Sequence, residues 1–114
     1  MIARDDVMAL ALAHPAATHI RLWGRSDVYK VGGKVFATCG LGDEGLSVKV
    51  SAIGWAVLTE DGPGREAPYF ARGHWAFVAL DDLSIDEARN WIGASYDLVA
   101  GKLTRAARQA LGLA

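Results

Sequence analysis

The apolar positions along this chain change period repeatedly, and each change predicts an element. Val7, Leu10 and Ala11 fall at i, i+3 and i+4, with Met8 and Leu12 widening the stripe, so Ala3 to Ala13 predict an amphipathic helix. Asp5 and Asp6 stand in its first turn, where the helix dipole favours negative charge. Pro15 disfavours helical backbone at His14 and ends it. From Thr18 the period becomes two. Ile20 and Leu22 alternate with His19, Arg21 and Trp23, which predicts a half-buried strand with the two aliphatic residues on its apolar side. Gly24 to Asp27 (GRSD) is a turn. Val28 to Val31 and Lys34 to Cys39 are two further strands around Gly32-Gly33, a composition suited to the positive φ of a primed hairpin turn. A two-residue loop pairs Val31 with Lys34, Lys30 with Val35 and Tyr29 with Phe36. Tyr29, Val31, Lys34 and Phe36 then share one face, and Lys30 joins Val28, Val35 and Ala37 on the other. Lys30 and Lys34 therefore do not belong to one basic patch.

Gly40 to Gly45 is a connection, and Leu46 to Val50 a fourth strand with Leu46, Val48 and Val50 inward and Ser47 and Lys49 outward. Ser51 is a good N-cap for a short helix containing Ile53, Trp55, Ala56 and Leu58, ended by Gly62-Pro63-Gly64. Arg65 to Gly73 reads as an irregular loop with Tyr69 and Phe70. The clearest local pattern follows, from Arg72 to Leu103. A strand, Trp75 to Leu80, leads through an acidic turn to Ser84-x-x-Glu87, a capping box in which the serine takes a helix amide and the glutamate returns the bond. Ile85, Ala88, Ile92, Tyr96, Val99 and Leu103 then form one apolar stripe. Thr104 caps a last short helix that Gly112 closes. The order α-ββββ-α-β-α-α predicts an α+β fold, a two-layer sandwich of one antiparallel sheet with helices packed on one face.

Length and composition narrow the setting. The 114 residues make one domain, 1–114, and 52% apolar with 22% charged residues is an ordinary globular balance. No apolar run reaches the ~18 residues that span a bilayer, and the first residues carry acid where a secretory signal carries positive charge, so a cytoplasmic protein without membrane contact is expected. Cys39 is the only cysteine, which excludes an internal disulfide and a cysteine-built zinc site. The net charge is −1, and the pI near 6.3 is low for a nucleic-acid binder. The distribution is more telling. Between Ile20 and Cys39 stand Arg21, Arg25, Lys30 and Lys34 with one acid, Asp27, and the tail from Gly101 has Lys102, Arg105 and Arg108 with none.

Several separated segments carry a family resemblance: Val28-Tyr-Lys-Val-Gly-Gly-Lys-Val-Phe-Ala37, the His74-Trp75 pair opening a strand, and Ser95-Tyr96-Asp97-Leu98-Val99 followed by Lys102-Leu103. In this order, over nearly the whole chain, they resemble the MmcQ/YjbR family. The resemblance implies a frataxin-like (CyaY-like) α+β fold and a DNA-binding protein with a double-wing arrangement of hairpins. Two departures stand beside it: a short segment from Ser51 to Gly64 with Trp55, and only Arg72 as a cation just before Trp75.

Two functional expectations follow. In the first, weak and largely sequence-independent DNA binding uses Arg21, Arg25, Lys30, Lys34, Lys49 and Arg72 as phosphate donors on the strand and hairpin surface. No helix-turn-helix pattern or recognition helix is present for base readout; the bland reading of these cations is a solvated sheet face. In the second, Arg72, His74, Trp75 and Tyr96, with Trp23, Tyr29 and Tyr69 near, line an aromatic and basic pocket for a small molecule, a stacked base or a protein partner. Its bland counterpart is core packing of Trp75, Phe77 and Tyr96. No catalytic centre, cofactor or metal site is expected. Ser95 lies in a helix, where it makes a small packing contact, rather than in a nucleophile elbow. His14, His19 and His74 lack ligand spacing, Asp5 and Asp6 alone are too few for a frataxin-type acidic ridge, and Gly32-Gly33-Lys34 lacks a phosphate loop's spacing and helix.

Overall fold

The computed structural model describes residues 2–22, 26–40, 44–67 and 74–113. Helix α1 (Arg4–Leu12) leads into strands β1 (Thr18–Leu22), β2 (Ser26–Val31), β3 (Lys34–Cys39) and β4 (Gly45–Lys49). Helix α2 (Ala52–Trp55) continues as a π-helical turn over Ala56–Glu60, and strands β5 (Arg65–Glu66) and β6 (Trp75–Ala79) follow. A 3₁₀ turn at Leu80–Asp82 and helices α3 (Ile85–Ala100) and α4 (Arg105–Ala110) complete the order. The described strands form one antiparallel sheet in the order β1-β2-β3-β4-β6-β5. Helix α3 lies across β2, β3 and β4 with α1 beside it. This is the two-layer α+β sandwich expected.

The caps behave as their residue types dictate. Ser51, Ser84 and Thr104 each accept a backbone N–H three residues on, and Glu87 returns the bond to Ser84. Gly32 and Gly33 both take positive φ, 58° and 78°, as a primed hairpin turn requires. Val7 and Ala11 of α1, and Ala88, Ile92, Tyr96 and Val99 of α3, are buried against the sheet.

Six expectations need correction. In β1 the alternation is reversed: Ile20 and Leu22 are exposed, and His19 turns inward because it reaches the carboxylate of Asp27. Asp27 itself lies within β2, not in a turn. The hairpin pairs Val31 with Lys34 and Lys30 with Val35, but a bulge then pairs Tyr29 with Ala37. Phe36 is the extra residue, and Phe36 and Ala37 both enter the core beneath the helices. Arg65–Glu66 is an edge strand and not loop, and Ile85 is exposed at the start of α3. Finally, the face away from the helices is not a solvated plane. Ser47, Thr38 and Phe77 are buried there, with Trp75, Ala67 and Val35 packed around Phe77 and the Arg65 guanidinium 4.7 Å above its ring. A Cβ at position 45 would collide with the Phe77 ring, so Gly45 lets that ring lie over β4.

Candidate functional site

The ladder between β3 and β4 stops at the pair Ala37–Val48. The next rung would join Phe36 to Lys49, but a side chain from the helix layer stands there instead. The Ser95 hydroxyl, fully buried on α3, donates to the Phe36 carbonyl at 2.6 Å and accepts from the Lys49 amide at 2.9 Å. One hydroxyl thus serves both groups that the missing rung leaves behind, as buried backbone polar groups require. Beyond it a cleft of about 460 Å³ opens at the end of the sheet. Lys34, Lys49 and Lys102 line it from β3, β4 and the end of α3. Its apolar walls come from Val35, Trp75, Val99 and Leu103, and no carboxylate is among its described lining residues.

The cations in this cleft are not equivalent. Lys34 and Lys102 are exposed, whereas Lys49 is half-buried. Burial, then the Lys102 side chain lying beside it, then repulsion between the two charges, pull the Lys49 ammonium below the ordinary lysine pKa. Lys49 and Lys102 thus bring two positive charges to one apolar wall.

Other expected site residues go elsewhere. Arg21 donates from Nε to Asp27 Oδ1 at 2.9 Å. His19 Nε2 lies 2.8 Å from the same oxygen, and Arg4 Nη2 donates to Oδ2 at 2.8 Å and to the Cys39 carbonyl at 3.1 Å. Asp27 is 1% exposed and anchors this cluster. Burial alone would raise its carboxyl; the hydrogen bonds from Arg21, His19 and Arg4 outweigh that and bring its pKa down to about 2. Burial pushes the adjoining Cys39 thiol up to about 11, so it is inert, and it also raises the Tyr29 hydroxyl. Lys30 stands opposite Val35 and Thr18, on the other sheet face from Lys34. Arg25 and Arg72, with Trp23 and Tyr69, lie outside the described residues.

Among the described residues, the side chains expected in the aromatic pocket are dispersed. Tyr96 stacks on His14 at 4.6 Å and donates its hydroxyl to the Pro15 carbonyl at 2.6 Å, lining a separate surface hollow with Arg108 and Leu113. Exposed His74 stacks on Trp55 at 5.3 Å. Tyr29 is sealed under the helices. Among the described residues of that group, Trp75 lines the lysine cleft.

A family model described as YjbR matches residues 12–98. The chain belongs to the YjbR family. Its fold also matches the crystal structure of a Deinococcus radiodurans protein, DR2400, described by the family domain DUF419. The two chains are 25% identical, with a TM-score of 0.86 over 100% of this chain and 91% of that one. No curated protein matches the sequence. Among YjbR residues of this chain, sequence reasoning missed Lys102, Ser95 and Asp27 as site-forming groups. The signals were present: Asp27 is the one acid among four cations from Ile20 to Cys39, and Lys102 opens the acid-free tail.

Proposed function

We propose that this YjbR protein is a non-enzymatic, cytoplasmic nucleic-acid-binding domain that grips backbone phosphate through Lys34, Lys49 and Lys102. The observation that carries this reading is that three lysines line one open cleft with no carboxylate among its described lining residues. Lysine is a point-charge donor suited to phosphate irrespective of sequence. The β2–β3 hairpin serves as the side of a wing and not its tip. A Cβ on Gly32 would meet Leu103 and Leu111, so one flank of the turn leans on the C-terminal helices.

Fluorescence anisotropy with a labelled duplex tests the proposal. Three neutralised phosphates give a log–log salt slope of about −2.7, so a fourfold rise in salt weakens binding about fortyfold. Lys34→Ala, Lys49→Ala and Lys102→Ala each flatten that slope by roughly one contact. Absence of binding at low salt, or a slope that the three substitutions leave unchanged, refutes the reading.

A further inference from the structure

The cleft carries more charge at one point than an internal phosphodiester can match. Lys49 and Lys102 lie side by side, Lys34 lines the same opening, and no acid among the described lining residues offsets them. A diester brings a single negative charge. A phosphate monoester near pH 7 brings about −1.5 to −2 charges and three acceptor oxygens. Shape points the same way. An internal diester must continue as polymer in two directions, whereas Val99 and Leu103 from the helix layer and Trp75 from the sheet wall the cleft with apolar surface. The volume of about 460 Å³ falls in the range of small-ligand sites.

We propose that the cleft is a phosphomonoester site, in which Lys49 and Lys102 hold a terminal phosphate, Lys34 closes on it from β3, and the group attached to the phosphate lies along the apolar wall of Val35, Val99 and Leu103. This rests on the lysine cleft used in the nucleic-acid reading and names the group it selects. A phosphate at the end of a strand and a free nucleoside monophosphate share this chemistry. The Ser95 bridge fixes the backbone geometry, since it ties the backbone of Lys49 to α3, which ends at Ala100 just before Lys102. The backbone positions from which the two lysines reach the cleft are therefore fixed before any ligand arrives, which is preorganisation for a doubly charged group.

The experiment compares two labelled single strands of identical sequence, one with a 5′-phosphate and one with a 5′-hydroxyl, alongside adenosine monophosphate followed by tryptophan fluorescence. The expected result is at least a tenfold preference for the phosphorylated strand. It falls to near unity in Lys102→Ala, whose site is exposed at a helix end, and in Lys49→Ala. It also shrinks as pH drops below the monoester's second pKa of about 6. Displacement of the phosphorylated strand by adenosine monophosphate supports the site and assigns it to free nucleotides as well; failure to displace supports strand ends alone. Equal, salt-sensitive binding of both strands overturns the monoester inference and leaves the phosphate-backbone reading standing. Binding of the monophosphate with no strand bound does the reverse. A preference that survives both lysine substitutions overturns the inference.

Discussion

Two groups of cations in this protein meet opposite fates. Around Asp27, Arg4, Arg21 and His19 converge on one buried carboxylate, and every oxygen of that carboxylate is taken. Around the cleft, Lys34, Lys49 and Lys102 converge on space. The first arrangement is closed: its charges are neutralised within the fold, and it ties α1 to β1, β2 and, through the Cys39 carbonyl, β3. The second is open, with a half-buried ammonium already displaced from its ordinary pKa by burial and a like neighbour. A count of basic residues does not distinguish them; the position of a single acid does. Structural charge comes with its counter-ion built in, and binding charge waits for one.

Substitutions should split along the same line, stability on one side and ligand on the other. The largest effect is expected at Asp27. Asp27→Asn removes the buried carboxylate that Arg4 and Arg21 share, leaving Arg4 its pair with Glu44, and should cost about 3 kcal/mol in chemical denaturation, the low end for a broken buried pair because Arg21 is half exposed. Phosphate binding should be unaffected; a loss of binding in a folded Asp27→Asn protein breaks the separation. Ser95→Ala comes next, since it removes both bonds of a buried bridge, and about 2 kcal/mol is expected. It alone should touch both regions' readouts, lowering stability and loosening the cleft together.

A pH titration of stability sharpens the contrast further. Because the Asp27 pKa falls from 3.8 to about 2 on folding, its contribution is fully present above pH 4 and is lost as pH falls toward 2. Wild type should show that acid slope and Asp27→Asn should not. At Lys49 the sign is opposite. Folding lowers the ammonium's pKa, so its charged form opposes folding at neutral pH. Lys49→Met should leave stability unchanged or raise it by a few tenths of a kcal/mol while weakening phosphate binding several-fold. A destabilised Lys49→Met would mean that the lysine stem is packing, and the comparison would lose one member.

Elements whose cause is local were legible in the sequence: the capping box at Ser84, the Gly32-Gly33 turn and the period of α3. The failures arose where tertiary contact overrode local pattern. Ile20 and Leu22 look inward by hydropathy, yet His19 occupies the inner side because Asp27 holds it. The Phe36 bulge is invisible to a period-two reading, since it shifts the register within the apolar run Val35-Phe36-Ala37. The site was half legible. Lys34, Lys49 and Trp75 stood among the candidates, but Lys102 joins them only because α3 ends over the mouth of the β2–β3 hairpin, a relation between residues far apart in sequence. Tyr96 left the group for a related reason: its hydroxyl is satisfied by the Pro15 carbonyl on the far side of the same helix.

The Ser95 bridge has a consequence for how occupancy and folding speak to each other. The opening between β3 and β4 exists because a helix side chain has taken the place of a strand-to-strand rung. A sheet formed without docked α3 would have no reason to part there, so the cleft is a property of the completed molecule and of no partly assembled state. Any anion that binds it then binds only the native form. Such a ligand raises the melting temperature in proportion to the logarithm of its concentration over its Kd, and the thermal shift becomes a readout of whether a single hydroxyl is still in place.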